Sequence, residues 1–550
     1  MSSRIPLVGV LRLGRPSDIW FKPALSVVVA VAPPNLALLM LGRLDLAMYT
    51  MAGSLCALYA HNRPYAARAR ALAWVVLGML GGLAIALIAA SLTRHAGVLV
   101  AVGALLAAVQ KVLCDATRIG PPGNVVLTFV SSAAVFTPQS LAQVPGHLAL
   151  AAAAGAWAWL VGMAPGLLRP HGPERRAVAG ALNEAAAHVE RGGTAGAGGR
   201  GGHHAGTHAP AVTAVQAARQ ALLSAGRSSE TRRALERLLV RAEVALAAPA
   251  DADPGRLRGW ARQVRGNGPV PEVDDLTGLG TGLASAPAPL WRRLRPLAPL
   301  AVRVALGCAL AGYVCLALGV GRPYWALVTA ASLYQASLTL TWGRGIQRVV
   351  GNLLGVLLFA ALVPVAHTGE VALVLCCLAL NFGAEALIGR NYWLGSVCVT
   401  PMALLVTEFA GFQEPGRLIT ERIVDTLVGA LVGLVAAVAV PDRRRQRVVR
   451  AERTAPRTLA ARPCLRSHAP DAAGPALRAD DGNLTTGPRP WCSDQAGCEA
   501  RCLSTDDSAA GGYPLLEELE DDPKDGAVGR NRGPHPDQRT GSETTEGVRP

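Results

Sequence analysis

The chain has 550 residues, 51% of them hydrophobic, and a formal net charge of +15. So much apolar surface beside so many arginines excludes an ordinary soluble globule, and the two are segregated: apolar runs fill 23–167 and 297–440, while charge collects in 168–295 and 441–550. The basic excess does not point to nucleic acid, because it sits mainly at the ends of apolar runs, where membrane topology accounts for it.

The first segment, 1–22, carries Arg4, Arg12, Arg15 and Lys22 and has no small-residue cleavage site, so it reads as a retained N-terminus. A bilayer core takes about 20 apolar residues per helix. The first apolar region, 23–167, divides into spans near 23–41, 44–60, 71–92, 96–113, 123–141 and 146–166. Pro33-Pro34 should kink or break the first of them, and Asp45 opens the second.

Residues 168–295 read as a helical insert, with helix-like patterning over 174–191, 211–225, 228–248 and 255–265. Within it, Gly192–Ala209 is a Gly/His linker whose His203, His204 and His208 read as a solvated tract rather than a metal site. The second apolar region, 296–441, divides near 297–319, 323–341, 346–365, 370–388, 391–411 and 419–440. Residues 442–550 are rich in Pro, Gly, Asp and Arg and are expected to be disordered. There Leu515–Asp522 is either a solvated charge run or an acidic binding helix. Cys464, Cys492, Cys498 and Cys502 read as free thiols, since their spacing with His468 does not fit zinc. The other seven cysteines lie in or beside apolar spans, where Cys packs as a small hydrophobe.

Twelve spans would put both termini and the insert on one side. Arg63, Arg68, Arg70, Lys111, Arg118, Arg169, Arg292, Arg344, Arg348, Arg390 and the 443–450 cluster fall there, against Arg43, Arg94, Arg322, Arg417 and Arg422 on the other. That asymmetry assigns the first side to the cytoplasm of a cell-membrane protein. The halves echo one another: Gly78 and Gly82 repeat the spacing of Gly351 and Gly355, and Asn124…Thr137-Pro138 that of Asn391…Thr400-Pro401. The fold expected is therefore all-α and polytopic, two six-helix halves in a parallel repeat, with a site between them.

Tyr324-Trp325-Ala326-Leu327-Val328-Thr329…Arg344-Gly345-Ile346-Gln347-Arg348-Val349-Val350-Gly351-Asn352-Leu353-Leu354-Gly355 resembles the fusaric-acid-resistance-like (FUSC) family, which includes aromatic acid exporters. So does Arg422-Ile423-Val424-Asp425-Thr426-Leu427-Val428-Gly429-Ala430-Leu431-Val432-Gly433. The resemblance covers roughly 297–441, is weak over 23–167 and does not reach the tail. It implies an inner-membrane protein with a cytoplasmic helical insert that exports aromatic carboxylic acids and related toxic compounds.

The polar residues inside the spans carry whatever chemistry there is. Arg344 and Arg348 share a helix face with Asn352, and form either a basic vestibule for anions or topology anchors. Arg303 either binds a carboxylate with its planar fork or snorkels to the surface. Glu385 and Asp425 are the proton-coupling candidates, since a carboxylate in hydrocarbon is costly to ionise. Ion pairs with Arg390 and, at i, i+3, with Arg422 are the structural alternatives. Lys111 and Asp115 should pair locally, while Glu408 and Glu414 read as solvated near the outer surface. Gly351, Gly355, Gly429 and Gly433 mark close helix approach.

No phosphate-binding loop, cofactor motif or nucleophile–base set appears, so an enzyme is not expected. The reading is proton-driven efflux of aromatic or other amphipathic organic acids. A passive organic-anion channel and a non-transporting scaffold are the alternatives. Its partners are a small organic anion and the lipid bilayer, with a homo-oligomer or an accessory efflux protein left open.

Overall fold

The computed structural model describes residues 7–14, 20–120, 122–195, 205–226, 229–266, 268–274, 289–319, 322–335 and 338–439. The tail, its four cysteines and the centre of the Gly/His linker lie outside the described residues. Every regular element described is helical.

The first apolar region follows a short α1 (Leu7–Val10) and holds α2 (Phe21–Met40) and α3 (Ala47–Ser54), the latter flanked by 3-10 turns at Leu44–Leu46 and Leu55–Leu58. It continues through α4 (Tyr65–Leu92), α5 (Ala96–Thr117), α6 (Val125–Val135) and α7 (Val144–Met163). After α8 (Pro165–Leu168), the insert is α9 (Gly172–Ala195), α10 (Ala205–Ser224), α11 (Glu230–Ala247) and α12 (Pro254–Arg265). The second region opens on α13 (Leu290–Leu294). It then runs α14 (Ala298–Ala317), α15 (Pro323–Leu333), α16 (Leu338–Ala366), α17 (Glu370–Ile388), α18 (Tyr392–Thr407, extended by a 3-10 turn to Ala410) and α19 (Pro415–Ala439).

Nine of these elements, among the described residues, are long and apolar enough to cross a membrane. The spans expected at 44–60, 123–141 and 323–341 are not. Their helices α3, α6 and α15 have 8, 11 and 11 residues. At about 1.5 Å per residue, α15 reaches roughly half of a bilayer core. All of its side chains are buried, so protein surrounds the break, the setting in which a membrane tolerates one. Gly120 (φ +83°) and Gly123 (φ +63°) turn the chain into α6, a backbone conformation open to glycine at little cost.

Pro33-Pro34 does not break α2, which stays one helix. Pro33 frees the Val29 carbonyl, and Trp157 Nε1 of α7 donates to it at 3.1 Å. Neighbouring protein thus replaces the lost helical bond.

Corresponding helices pair alike in the two regions. α3 packs on α7 as α15 does on α19, α4 on α6 as α16 on α18, and α4 on α7 as α16 on α19. The regions meet where α5 packs on α14, α2 on α17 and α6 on α15. At that seam Phe129 stacks on Trp325 at 5.4 Å and Phe136 lies 6.1 Å from Tyr324. The insert has its own core around Leu182, Leu235 and Leu238, with α9 packed on α10, α11 and α12.

Residues 10–14 form a strap across the starts of α16 and α18. Gln347 Nε2 donates to Val10 O (2.8 Å), Trp393 Nε1 to Leu11 O (3.2 Å) and Asn391 Nδ2 to Arg12 O (2.9 Å), while Gly14 N donates to Arg390 O (2.9 Å).

Candidate functional site

α16 begins at Leu338, eight residues before the span expected there, so Arg344 and Arg348 lie inside the helix rather than at its mouth. With Asn352 they line one face at four-residue steps. The Arg344 guanidinium sits 3.9 Å over the Tyr392 ring, and Arg348 Nη1 donates to Tyr392 Oη at 3.0 Å. One turn on, Asn352 Nδ2 donates to Thr426 Oγ1 (3.0 Å), and its Oδ1 accepts from Thr400 Oγ1 (2.6 Å). Thr426 Oγ1 in turn donates to Arg422 O at 2.7 Å. A file of polar groups therefore runs between α16, α18 and α19.

Arg422 is the deepest charge in that file. Its side chain is 1% exposed and its guanidinium stacks 3.9 Å over Trp325 of α15. Nε and Nη1 have no hydrogen-bond partner among the described residues. Asp425 is 0% exposed; its Oδ1 accepts from Cys315 Sγ (3.3 Å) and Oδ2 has no partner there. The i, i+3 ion pair expected between them is not formed, and Arg422 is not at the surface. α19 starts at Pro415, placing Arg422 about 10 Å down the helix. Glu421, the nearest acid at that end, is held by Arg322 (3.2 Å) and Arg417 (2.8 Å).

Glycines set these approaches. A Cβ on Gly429 would lie 2.5 Å from Ala326 O, and one on Gly433 2.8 Å from Leu333, so α19 packs backbone-close against α15 and brings Arg422 over Trp325. A Cβ on Gly351 would lie 2.6 Å from Trp393 O, and one on Gly355 3.0 Å from Val397 O, the carbonyl that Pro401 frees. This packing holds Tyr392 against the arginines of α16.

Trp325 also walls an apolar cavity of about 50 Å³ on the seam, lined by Met51, Leu55, Phe129, Ala133 and Tyr324 among others. One side chain thus touches both an unsatisfied guanidinium and an apolar hollow. Arg348 and Arg422 act on one another electrostatically, and Asp425 is the buried carboxylate next to Arg422, so this part of the bundle holds two buried cations to one buried carboxylate. Such an excess is costly without a counter-ion.

The other candidates stand apart from this group. Arg303 is buried in α14 near Tyr334. Glu385 is half-buried in α17 and makes no ion pair with Arg390 or any other described residue. Lys111 and Asp115 pair at 2.9 Å. Glu408 is not solvated: it is 2% exposed and its Oε1 lies 3.1 Å from His367 Nε2, because the α18 extension packs against the turn at Leu44–Leu46. Sequence reasoning passed over Trp325, Tyr392, Thr400 and Thr426, and placed Arg422 on the wrong level. An arginine seven residues into an apolar helix was the available signal.

Residues 309–436 match the family model described as fusaric acid resistance protein-like. The uncharacterized membrane protein YvaC of Bacillus subtilis (strain 168) is 35% identical over 122 residues, which cover 22% of this chain and 19% of that protein. The match therefore spans about a fifth of that relative's length. No solved structure matches the chain. The arginine–aromatic site is thus housed in a fusaric acid resistance protein-like segment of a multi-pass membrane protein.

Proposed function

We propose that the chain is a membrane transporter that carries amphipathic organic anions, aromatic carboxylates foremost, out of the cell with a proton as coupling ion. The observation that carries this reading is Arg422: fully buried, two nitrogens unpartnered, stacked on Trp325, which also lines an apolar cavity. A carboxylate suits the guanidinium fork, and the hollow of about 50 Å³ beside it is apolar, so an aromatic ring enters it only as the lining side chains give way. The Lys/Arg asymmetry of the sequence supports a cytoplasmic insert end, from which an outgoing anion would meet Arg344 and Arg348 first.

Benzoate flux in proteoliposomes of the full chain tests this. Saturable flux should fall at least about tenfold in Arg422→Gln, the scale of a lost charge-assisted contact, and stay unchanged in Arg94→Gln. Current that follows voltage alone, with no effect of a pH gradient, would replace the carrier with a passive channel. Absence of flux from folded protein with benzoate, hexanoate and indole-3-acetate alike would leave the scaffold.

A further inference from the structure

Asp425 lies one helical turn from Arg422, and both are sealed from solvent. The groups around the carboxylate are few. From α14 comes the Cys315 thiol, donating to Oδ1. From α15 and the residue before it come Tyr324 and Arg322, the latter engaged with Glu421. α19 itself supplies Glu421 and Arg422, and α16 supplies Arg348, which acts on Arg422 through space and donates to Tyr392. Oδ2 has no hydrogen-bond donor among the described residues.

An anion arriving at Arg422 adds negative charge about one helical turn from that carboxylate, in surroundings that screen poorly. Like charges repel, so the arrival favours the protonated acid, and prior protonation favours the arrival. By linkage the two effects are equal in size. Opposite coupling, in which a proton expels the anion, would need the proton to neutralise the anion itself or to turn a cation away from it. Protonating Asp425 does neither.

We infer that one anion and one proton occupy this site together, the anion on the Arg422 guanidinium and the proton on Oδ2 of Asp425, so that the acid is carried as a whole. The inference rests on the anion site proposed above and fixes the sign of its coupling. Anion and proton then cross in the same direction, and export runs on the outward gradient of the acid itself. An inward proton gradient opposes it. Exchange driven by that gradient would need a second carboxylate, and Glu385 stands outside the site.

Isothermal titration of benzoate into the full chain in nanodiscs, across roughly pH 8 to 5.5, tests the sign. Affinity should rise on acidification by up to about tenfold per pH unit, the limit for one linked proton. Close to one proton should be taken up per benzoate bound in weak buffer. Asp425→Asn should bind tightly at every pH with no uptake. Proton release on binding, or no uptake anywhere in that range, overturns the co-binding while leaving the anion site intact. Benzoate binding that survives Arg422→Gln, in protein that remains monodisperse, overturns the site itself. The uptake measurement uses the unaltered chain, so a variant that fails to fold does not cloud the sign.

Discussion

Trp325 serves two neighbours at once: its ring carries the Arg422 guanidinium and also lines the seam cavity. A cation over an indole is worth about 0.5–2 kcal/mol, so Trp325→Leu should raise the KM for benzoate severalfold, and Trp325→Phe should raise it less. A second residue-scale prediction concerns His61, between the turn at Leu55–Leu58 and α4. Burial, with Arg68 beside it, pushes the His61 pKa down to about 4, and Arg68 Nη2 lies 3.1 Å from Nδ1. Over the interval up to the ordinary value of 6.5 the unfolded chain binds a proton there and the folded protein does not. Its stability is therefore whole above that interval and falls as pH drops through it. Between pH 7 and 5 the loss should be about 2 kcal/mol, read as earlier thermal unfolding in detergent and flattened in His61→Gln. Arg348, Asn352 and Asp425 were legible as buried polar residues because charges are conspicuous in apolar runs. Their partners were not: a threonine or tryptophan in such a run looks like packing until the helix crossing is known.

At the scale of elements, glycine decides which helices touch. Gly351→Ala and Gly429→Ala each force a Cβ to within about 2.6 Å of a neighbouring helix's backbone. Overpacking of this kind costs about 1–3 kcal/mol, so both variants should lose folded yield and benzoate flux. Gly78→Ala, with nothing within 4 Å of its Cβ, should match the parent in size-exclusion profile and flux. Most helices were readable from length and hydropathy, to within a few residues at each end. Those few residues mattered most at α16 and α19, where an earlier start moved Arg348 and Arg422 from the surface to the interior. The breaks after α3 and α15 were hidden because a fully buried half-helix is as apolar as a full span. Only the surrounding protein, which hydropathy does not report, allows the chain to stop there.

For the whole molecule, the matched helix pairings go with unmatched chemistry. Seven and four residues before Gly155, where α19 has Arg422 and Asp425 before Gly429, α7 has Leu148 and Ala151. Likewise α4 carries Val75 and Met79 three residues before Gly78 and Gly82, where α16 carries Arg348 and Asn352 before Gly351 and Gly355. The first region thus contributes apolar wall and the second contributes charge. Topology is the matching prediction. With Cys464, Cys492, Cys498 and Cys502 replaced, an impermeant maleimide should reach a cysteine at Thr93 from outside intact cells. A cysteine at Ser224 should react only after permeabilisation, and the reverse pattern would invert the direction of transport drawn above.

The strap at 10–14 is tied to side chains 337 or more residues further along the chain, those of Gln347, Asn391 and Trp393. During synthesis its three acceptor carbonyls emerge hundreds of residues before their donors exist, so they wait in water while most of the bundle assembles. Docking of the strap is therefore among the last events of maturation, and a bulky fusion ahead of Val10 would obstruct a finishing step rather than the insertion of any helix.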